Sequence, residues 1–202
     1  MTSGKIESID DIFAMENAQS ITRSAFRDEI DLKKTNLPRF QPGDQYNYLN
    51  IFIGDTESVL DYYPQVIEIC KKGKHTGKEQ KFVSAVVEAI RNAYQHGNKK
   101  DPKKKISIAY KATTTSFEVI ISDQGGKINA NFPLYTQFIK HREKIQESYS
   151  FYKFAPDVKQ DTNQNSGIGT FMIHLYSDEV KYSVNSDNGL SVQMIIRKDQ
   201  NI

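Results

Sequence analysis

Glu88-Ala-Ile-Arg-Asn92-Ala-Tyr-Gln-His96-Gly97-Asn98 is the stretch from which this chain is read. Glu88, Asn92 and His96 recur every four positions, and side chains at i and i+4 share one face of a helix, drifting by roughly 40° per step. Phe82, Val83, Val86, Val87, Ile90 and Ala93 point in other directions and form an apolar face suited to packing on a sheet. The polar stripe offers chemistry. A carboxylate at Glu88 can accept a proton from a hydroxyl nucleophile, and the amide oxygen of Asn92 is a hard, neutral ligand of the kind Mg²⁺ takes alongside waters and phosphate oxygens. The plainer reading is a solvated face, with His96 complementing the negative end of the helix.

Two glycine segments follow. Phe117-Glu-Val-Ile-Ile-Ser122-Asp123-Gln124-Gly125-Gly126 reads as a strand ending in an acid and two glycines. An acid at the end of a buried strand can accept a hydrogen bond from an exocyclic amine, and glycines let a flat base approach the backbone. Asn165-Ser166-Gly167-Ile168-Gly169-Thr170 reads as a glycine turn opening a helix, where backbone N–H groups bind anions. No Gly-Lys-Ser/Thr follows, so it is not a P-loop, and the strand–turn–helix setting of a dinucleotide fingerprint is missing. Either segment alone is an ordinary turn. In this order, the three supply a metal ligand, a proton acceptor, a base-reading carboxylate and a phosphate cradle, which is most of a nucleotide site.

The 202 residues suit one domain with an appendage. A hydrophobic share of 38% and a mean hydropathy of −0.61 fit a soluble globular protein. The net charge is only +2 and the basic residues are spread out, so no direct nucleic-acid partner is expected. The one dense basic run, Lys99-Lys100-Asp101-Pro102-Lys103-Lys104-Lys105, falls between a helical and a strand pattern and reads as a solvated turn. Cys70 is the single cysteine, flanked by apolar residues, which fits a buried thiol and a reducing, cytoplasmic setting. No apolar leader opens the chain and no window approaches a membrane span.

Along the chain, residues 8–30 predict a helix, with Ser8 as cap and Ile9, Ile12, Phe13, Ile21, Ala25 and Phe26 as its stripe. Residues 31–44, with Pro38, Pro42 and Gly43, read as a linker. The expected division is an N-terminal helical arm and linker over 1–44 and a nucleotide-binding domain over 45–202. Within the latter, strands are expected at 46–53, 104–110, 117–123, 180–184 and 191–197. Helices are expected from 55 through Cys70, at 78–96 closed by Gly97 as a C′ residue, at 134–147 and at 170–176. Paired hairpins predict an α+β fold: a two-layer sandwich whose mostly antiparallel mixed sheet is covered on one face by helices.

These residues resemble the GHKL (Bergerat-fold) ATPase superfamily, the histidine-kinase-like ATPase fold. Residues 88–98 look like its N-box, 123–126 like its G1 box, and Gly167 and Gly169 like its G2 box; the resemblance covers about 45–198. Within the superfamily the chain looks most like the anti-sigma-factor serine kinases, on the strength of 88–98 and of Gly-Ile-Gly-Thr-Phe-Met-Ile-His-Leu-Tyr-Ser-Asp-Glu-Val at 167–180. The resemblance implies ATP and Mg²⁺ as cofactors, Glu88 as base, Asn92 as Mg²⁺ ligand and Asp123 as adenine reader. It also implies nucleotide contacts at His96, Gly125, Gly126, Gly167, Ile168, Gly169 and Thr170. It further implies a homodimer, a small antagonist (STAS-type) protein as phosphoacceptor, and a sigma factor or other regulator as second partner. The implied activity is that of a serine/threonine protein kinase; the alternative is an ATP-gated protein-binding module with little turnover.

The sequence departs from that pattern in places. Lys127 replaces the second glycine of Asp-x-Gly-x-Gly, which stiffens a lid hinge or brings an amine to a phosphate. The strand that usually starts Gly-Thr here starts Gly189-Leu190, with Ser191 one place late. The insert forming a lid at about 127–166 is long and carries His141 and the aromatics Tyr149, Phe151, Tyr152 and Phe154. A histidine kinase would need a phosphoacceptor histidine upstream, and none of His75, His96, His141 and His174 lies before the domain. A gyrase-like or MutL-like enzyme would need a following transducer domain, which a chain ending at Ile202 is not expected to have.

Overall fold

A computed structural model describes residues 29–55, 57–73, 78–129, 132, 135–136, 139 and 168–198. Its centre is a five-stranded sheet in the order β2-β3-β4-β7-β6, comprising β2 (Asn47–Phe52), β3 (Lys105–Ala112), β4 (Ser116–Ser122), β6 (Glu179–Val184) and β7 (Leu190–Arg197). Every neighbouring pair is antiparallel. A short strand β1 (Glu29–Asp31) pairs with β5 (Lys127–Asn129) in a separate two-stranded sheet. The helices are α1 (Tyr63–Lys71), α2 (Glu79–Asn92) and α3 (Gly169–Leu175). The architecture is the α+β sandwich that the hairpin pattern predicts.

The period-2 alternation sorts the two faces of the sheet. Ile106 and Ile108 on β3, Phe117, Val119 and Ile121 on β4, and Met194 and Ile196 on β7 are buried on the helical side. Helix α2 supplies the opposite wall with Phe82, Val86 and Ile90, none of them exposed. Phe82 meets Phe117 edge to face at a centroid distance of 6.0 Å, an arrangement worth about 1 kcal/mol beyond area burial. Gly73 follows from the same packing, since a methyl group there would lie 2.7 Å from the Phe117 ring.

The opposite face carries a polar row in register across all five strands: Asn50, Ser107, Ser122, Ser191, Ser183. Ser107 Oγ donates to Asn50 Oδ1 at 2.7 Å, and the Ser122 and Ser191 hydroxyls bond each other at 2.6 Å. Ser191, one place later than the threonine of the resembled pattern, therefore turns away from the helical side and is engaged behind the sheet.

Residues 31–44, read as a linker, are structured. Phe40 N donates to Val184 O at 3.0 Å and Val184 N to Pro38 O at 2.8 Å, adding a parallel bridge at Arg39 to the β6 edge. Phe40 then packs with Tyr46, Ala109 and Ile120 in a small core behind the sheet. Tyr46 Oη donates to Glu118 Oε2 at 2.8 Å, and burial together with that carboxylate raises the phenol well above its ordinary pKa. A proline-broken stretch has no period to read, and its partners are some 70 to 145 positions away.

Three further expectations shift. The helix from 55 to Cys70 is a 3₁₀ turn (Glu57–Tyr62) followed by α1, because Pro64 lacks an N–H and fits only a first turn. The helix reading of 8–30 fails at its end, where Glu29 to Asp31 are extended; the rest of it lies outside the described residues. Helix α2 stops at Asn92 and continues as a π turn (Ala93–Gly97), with Asn98 N donating to Ala93 O at 2.7 Å.

By contacts the chain divides into two compact units. Residues 30–128 with 169–202 carry the five-stranded sheet and its helices. Residues 1–29 with 129–168 form the other, in which Tyr135 and Ile139 are fully buried and Tyr135, Thr136 and Ile139 are helical, in line with the helix predicted at 134–147. Most of the expected lid lies outside the described residues. Among the described residues no helix is long and apolar enough to cross a membrane.

Candidate functional site

Helix α2 and its π turn form the spine of the site. Glu88 and Asn92 stand one turn apart on its half-buried flank. Arg91 pairs with Glu88 Oε1. The other oxygen faces the start of α3: a methyl group at Gly169 would lie 2.7 Å from Glu88 Oε2, and 3.5 and 3.6 Å from the Asn92 amide atoms. The third motif is thus folded directly onto the first, and glycine is the residue that leaves room between them. Thr170 follows in the first turn of α3, half-buried. Ile168 is half-buried, and Gly167 lies outside the described residues.

The second cluster surrounds Asp123, just past the end of β4. It is 5% exposed, and two glycines make room for it, with a third behind one of them. A Cβ on Gly97 would overlap its carboxyl group, a Cβ on Gly189 its carbonyl carbon and Oδ1, and a Cβ on Gly125 would overlap the backbone of Gly97. Oδ1 accepts from Gly125 N at 2.8 Å and Leu190 N at 3.0 Å. Burial raises the Asp123 pKa from 3.8 to about 6; the two backbone N–H donors and the Lys104 and Lys99 charges offset part of that rise. Gly97 was expected as a left-handed C′ residue, but among the described glycines only Gly126 has positive φ, at 82°. Gly97 is required by the space Asp123 takes. Gly126 passes its carbonyl to Leu32 N at 2.9 Å. His96 is exposed on the π turn and Lys127 is exposed at the start of β5.

The donor set fits a nucleotide-borne metal better than a protein-held one. Among the described residues no group of three or more His, Cys, Asp or Glu side chains could hold an ion. A single amide oxygen at Asn92 beside a glycine-lined gap suits Mg²⁺ that keeps phosphate oxygens and waters as its other ligands.

Residues 68–196, well over half of the chain, match the histidine kinase-like ATPase domain family. The chain belongs to that family. This histidine kinase-like ATPase domain is also similar to two curated proteins, the serine-protein kinases RsbW of Bacillus licheniformis (28% identical) and Bacillus velezensis (27% identical). Each alignment runs over 110 residues, 54% of this chain and 59% of the relative, so the match spans well under two thirds of either relative's length.

Sequence reasoning missed the residues that hold the ATPase domain's acid in place. Asn98 and Asn185 are buried beside Asp123, and Gly189 closes the β6–β7 turn with its N–H donating to Asn185 Oδ1 at 2.9 Å. Asn98 sat in view as the last residue of the decisive stretch. Asn185 and Gly189, in Asn185-Ser-Asp-Asn-Gly, have the composition of any tight turn.

Proposed function

We propose that this protein binds ATP with Mg²⁺ and transfers the γ-phosphoryl group to a serine or threonine hydroxyl of a small STAS-type antagonist protein, as an anti-sigma-factor type kinase. The observation that carries this reading is the seating of Gly169 against Glu88 Oε2 and Asn92. It brings a carboxylate, an amide and a glycine-lined gap together, which supports reading them as proton acceptor, metal ligand and phosphate seat. Gly97, against which Asp123 packs, lies nine residues beyond Glu88 on the same spine, about 13 Å at helical rise, a span suited to a triphosphate at one end and its base at the other.

Each residue then has a task. Asp123 accepts a hydrogen bond from the adenine amine. Gly125, Gly126, Gly167, Ile168, Gly169 and Thr170 offer backbone or small-residue contact to the nucleotide, and His96 and Lys127 bring basic groups to its rim. Asn92 would hold Mg²⁺, which when bound neutralises charge on the transferring phosphoryl group. Glu88 Oε2 orients the acceptor hydroxyl and takes its proton, with Arg91 fixing the other oxygen. Phosphoryl transfer depends chiefly on such positioning. The naming of both relatives as serine-protein kinases supports the same reading. A cytoplasmic homodimer that also engages a sigma factor belongs to this proposal.

The test is transfer of labelled γ-phosphate to a purified STAS-type protein from the same organism. Glu88→Gln is expected to lower transfer by about 10²–10⁴-fold while ATP binding, read by calorimetry, stays near wild type. Tight ATP binding with no phosphoprotein formed by the wild-type protein would instead make this an ATP-gated binding module.

A further inference from the structure

Asp123 and Gln124 are joined by one peptide group, and that group is gripped at both ends. Its carbonyl accepts from Asn185 Nδ2 at 2.8 Å, and its N–H donates to Asn98 Oδ1 at 2.8 Å. Both asparagines are buried, Asn98 completely. Neither amide is free to turn. Asn98 Nδ2 donates to the Lys104 and Lys105 carbonyls at 3.3 and 3.1 Å, and Asn185 Oδ1 accepts from Gly189 N at 2.9 Å. The Gln124 side chain ties the same peptide to its surroundings a second time, accepting from Lys105 N at 2.9 Å and donating to Asp187 at 3.0 Å.

The grip comes from two remote places. Asn98 follows the π turn after α2, and Asn185 follows β6. Two side chains from different elements on one peptide fix its plane, and the Cα–Cβ bond of Asp123 leaves that plane at a set angle. Oδ1 is already taken by Gly125 N and Leu190 N. Oδ2, which lies against Gly97, is then the oxygen left to accept from an incoming donor, and its direction depends on the peptide behind it.

We propose that Asn98 and Asn185 are positioning residues that set the nucleobase selectivity of this site by fixing the 123–124 peptide and through it the direction of the Asp123 carboxylate. This rests on the reading of Asp123 as the base acceptor. A well-aimed carboxylate favours a 6-amino purine, whose amine donates, over a 6-oxo purine, whose oxygen meets it as a second acceptor. A carboxylate free to swing loses the first contact and relieves the second, so selectivity falls further than overall affinity.

The experiment compares ATP with inosine triphosphate by calorimetry in the presence of Mg²⁺, on the full chain. Wild type is expected to favour ATP. Asn185→Ala and Asn98→Ala are each expected to weaken ATP binding roughly tenfold and to leave inosine triphosphate binding within about twofold, so the preference collapses. In an Asp123→Ala background, adding Asn185→Ala is expected to change the ratio no further, as residues acting through one group are not additive. Equal weakening of both nucleotides, or an unchanged ratio in variants of native circular dichroism, overturns the proposal. If the alanine variants do not fold, Asn185→Ser gives the same reading. A wild type that takes up neither nucleotide, or shows no preference between them, sinks the underlying site. A wild type whose preference is lost in Asp123→Ala but kept in both asparagine variants sinks this inference alone.

Discussion

Gly97 and Gly189 show how one missing carbon can decide a site. Both lie flush against Asp123, and a methyl group on either would overlap it. Gly43 has nothing within 4 Å of its Cβ position and no positive φ. Gly97→Ala and Gly189→Ala are therefore expected to cost about 1–3 kcal/mol by overpacking and to abolish nucleotide binding. Gly43→Ala should be neutral or add about 0.4–1 kcal/mol through the unfolded chain. Thermal melts with and without ATP separate the three. Asp123 itself has a signature in pH. Its pKa is raised by burial from 3.8 to about 6, so between about pH 4 and 6 the unfolded state has lost the proton while the folded state keeps it. Stability from this group therefore falls as pH rises through that window. At about 1.4 kcal/mol per pH unit, the cost at neutral pH is about 3 kcal/mol. Asp123→Asn should melt higher than wild type at pH 7, with the gap closing towards pH 4, and should lose preference for ATP. At this scale the proposed site residues stand out in the sequence by type and place: Glu88 and Asn92 by their i, i+4 spacing, Asp123 as an acid at a strand end before two glycines. The roles of Gly97 and Asn185 were not, since both answer to a side chain far away in sequence.

At the scale of elements, strands β3, β4, β6 and β7 and helix α2 were legible within a few residues from alternation and the i, i+4 stripe. The π turn was hidden, because an i→i+5 bond leaves no mark on periodicity; such insertions are frequent at functional sites, and this one delivers Gly97 and Asn98 to Asp123. The segment 37–46 was hidden for another reason: its bonds run to Val184 and its contacts to Ala109 and Ile120. Those contacts have a consequence for stability. A chain beginning at Gln45 loses two backbone bonds to Val184 and the Phe40 cover, whereas one beginning at Leu37 keeps them. The shorter chain is expected to be less stable by about 1–3 kcal/mol at about 1 kcal/mol per bond and more prone to self-association through the bared β6 edge. Urea melts and light scattering check this, and equal stability of the two chains would show that the segment only rests on the sheet.

Across the whole molecule, hairpin counting read the fold class correctly, but the placement of β7 between β4 and β6 could not be read that way. The β4–β7 pairing joins residues some 70 to 80 positions apart, and no local signal encodes it. The lone thiol agrees with its sequence reading: Cys70 is 1% exposed and burial pushes its pKa up to about 12, which makes it inert to reagents that need a thiolate. The position of β7 has a further consequence during synthesis. The strand that completes the sheet, and whose Leu190 N–H secures the acid, is the last of the five in chain order and so the last of them to be synthesised. A nascent chain translated as far as β6 therefore presents the bare edges of β4 and β6 and an Asp123 with one of its two backbone donors missing, and its acid pocket is completed only when β7 emerges.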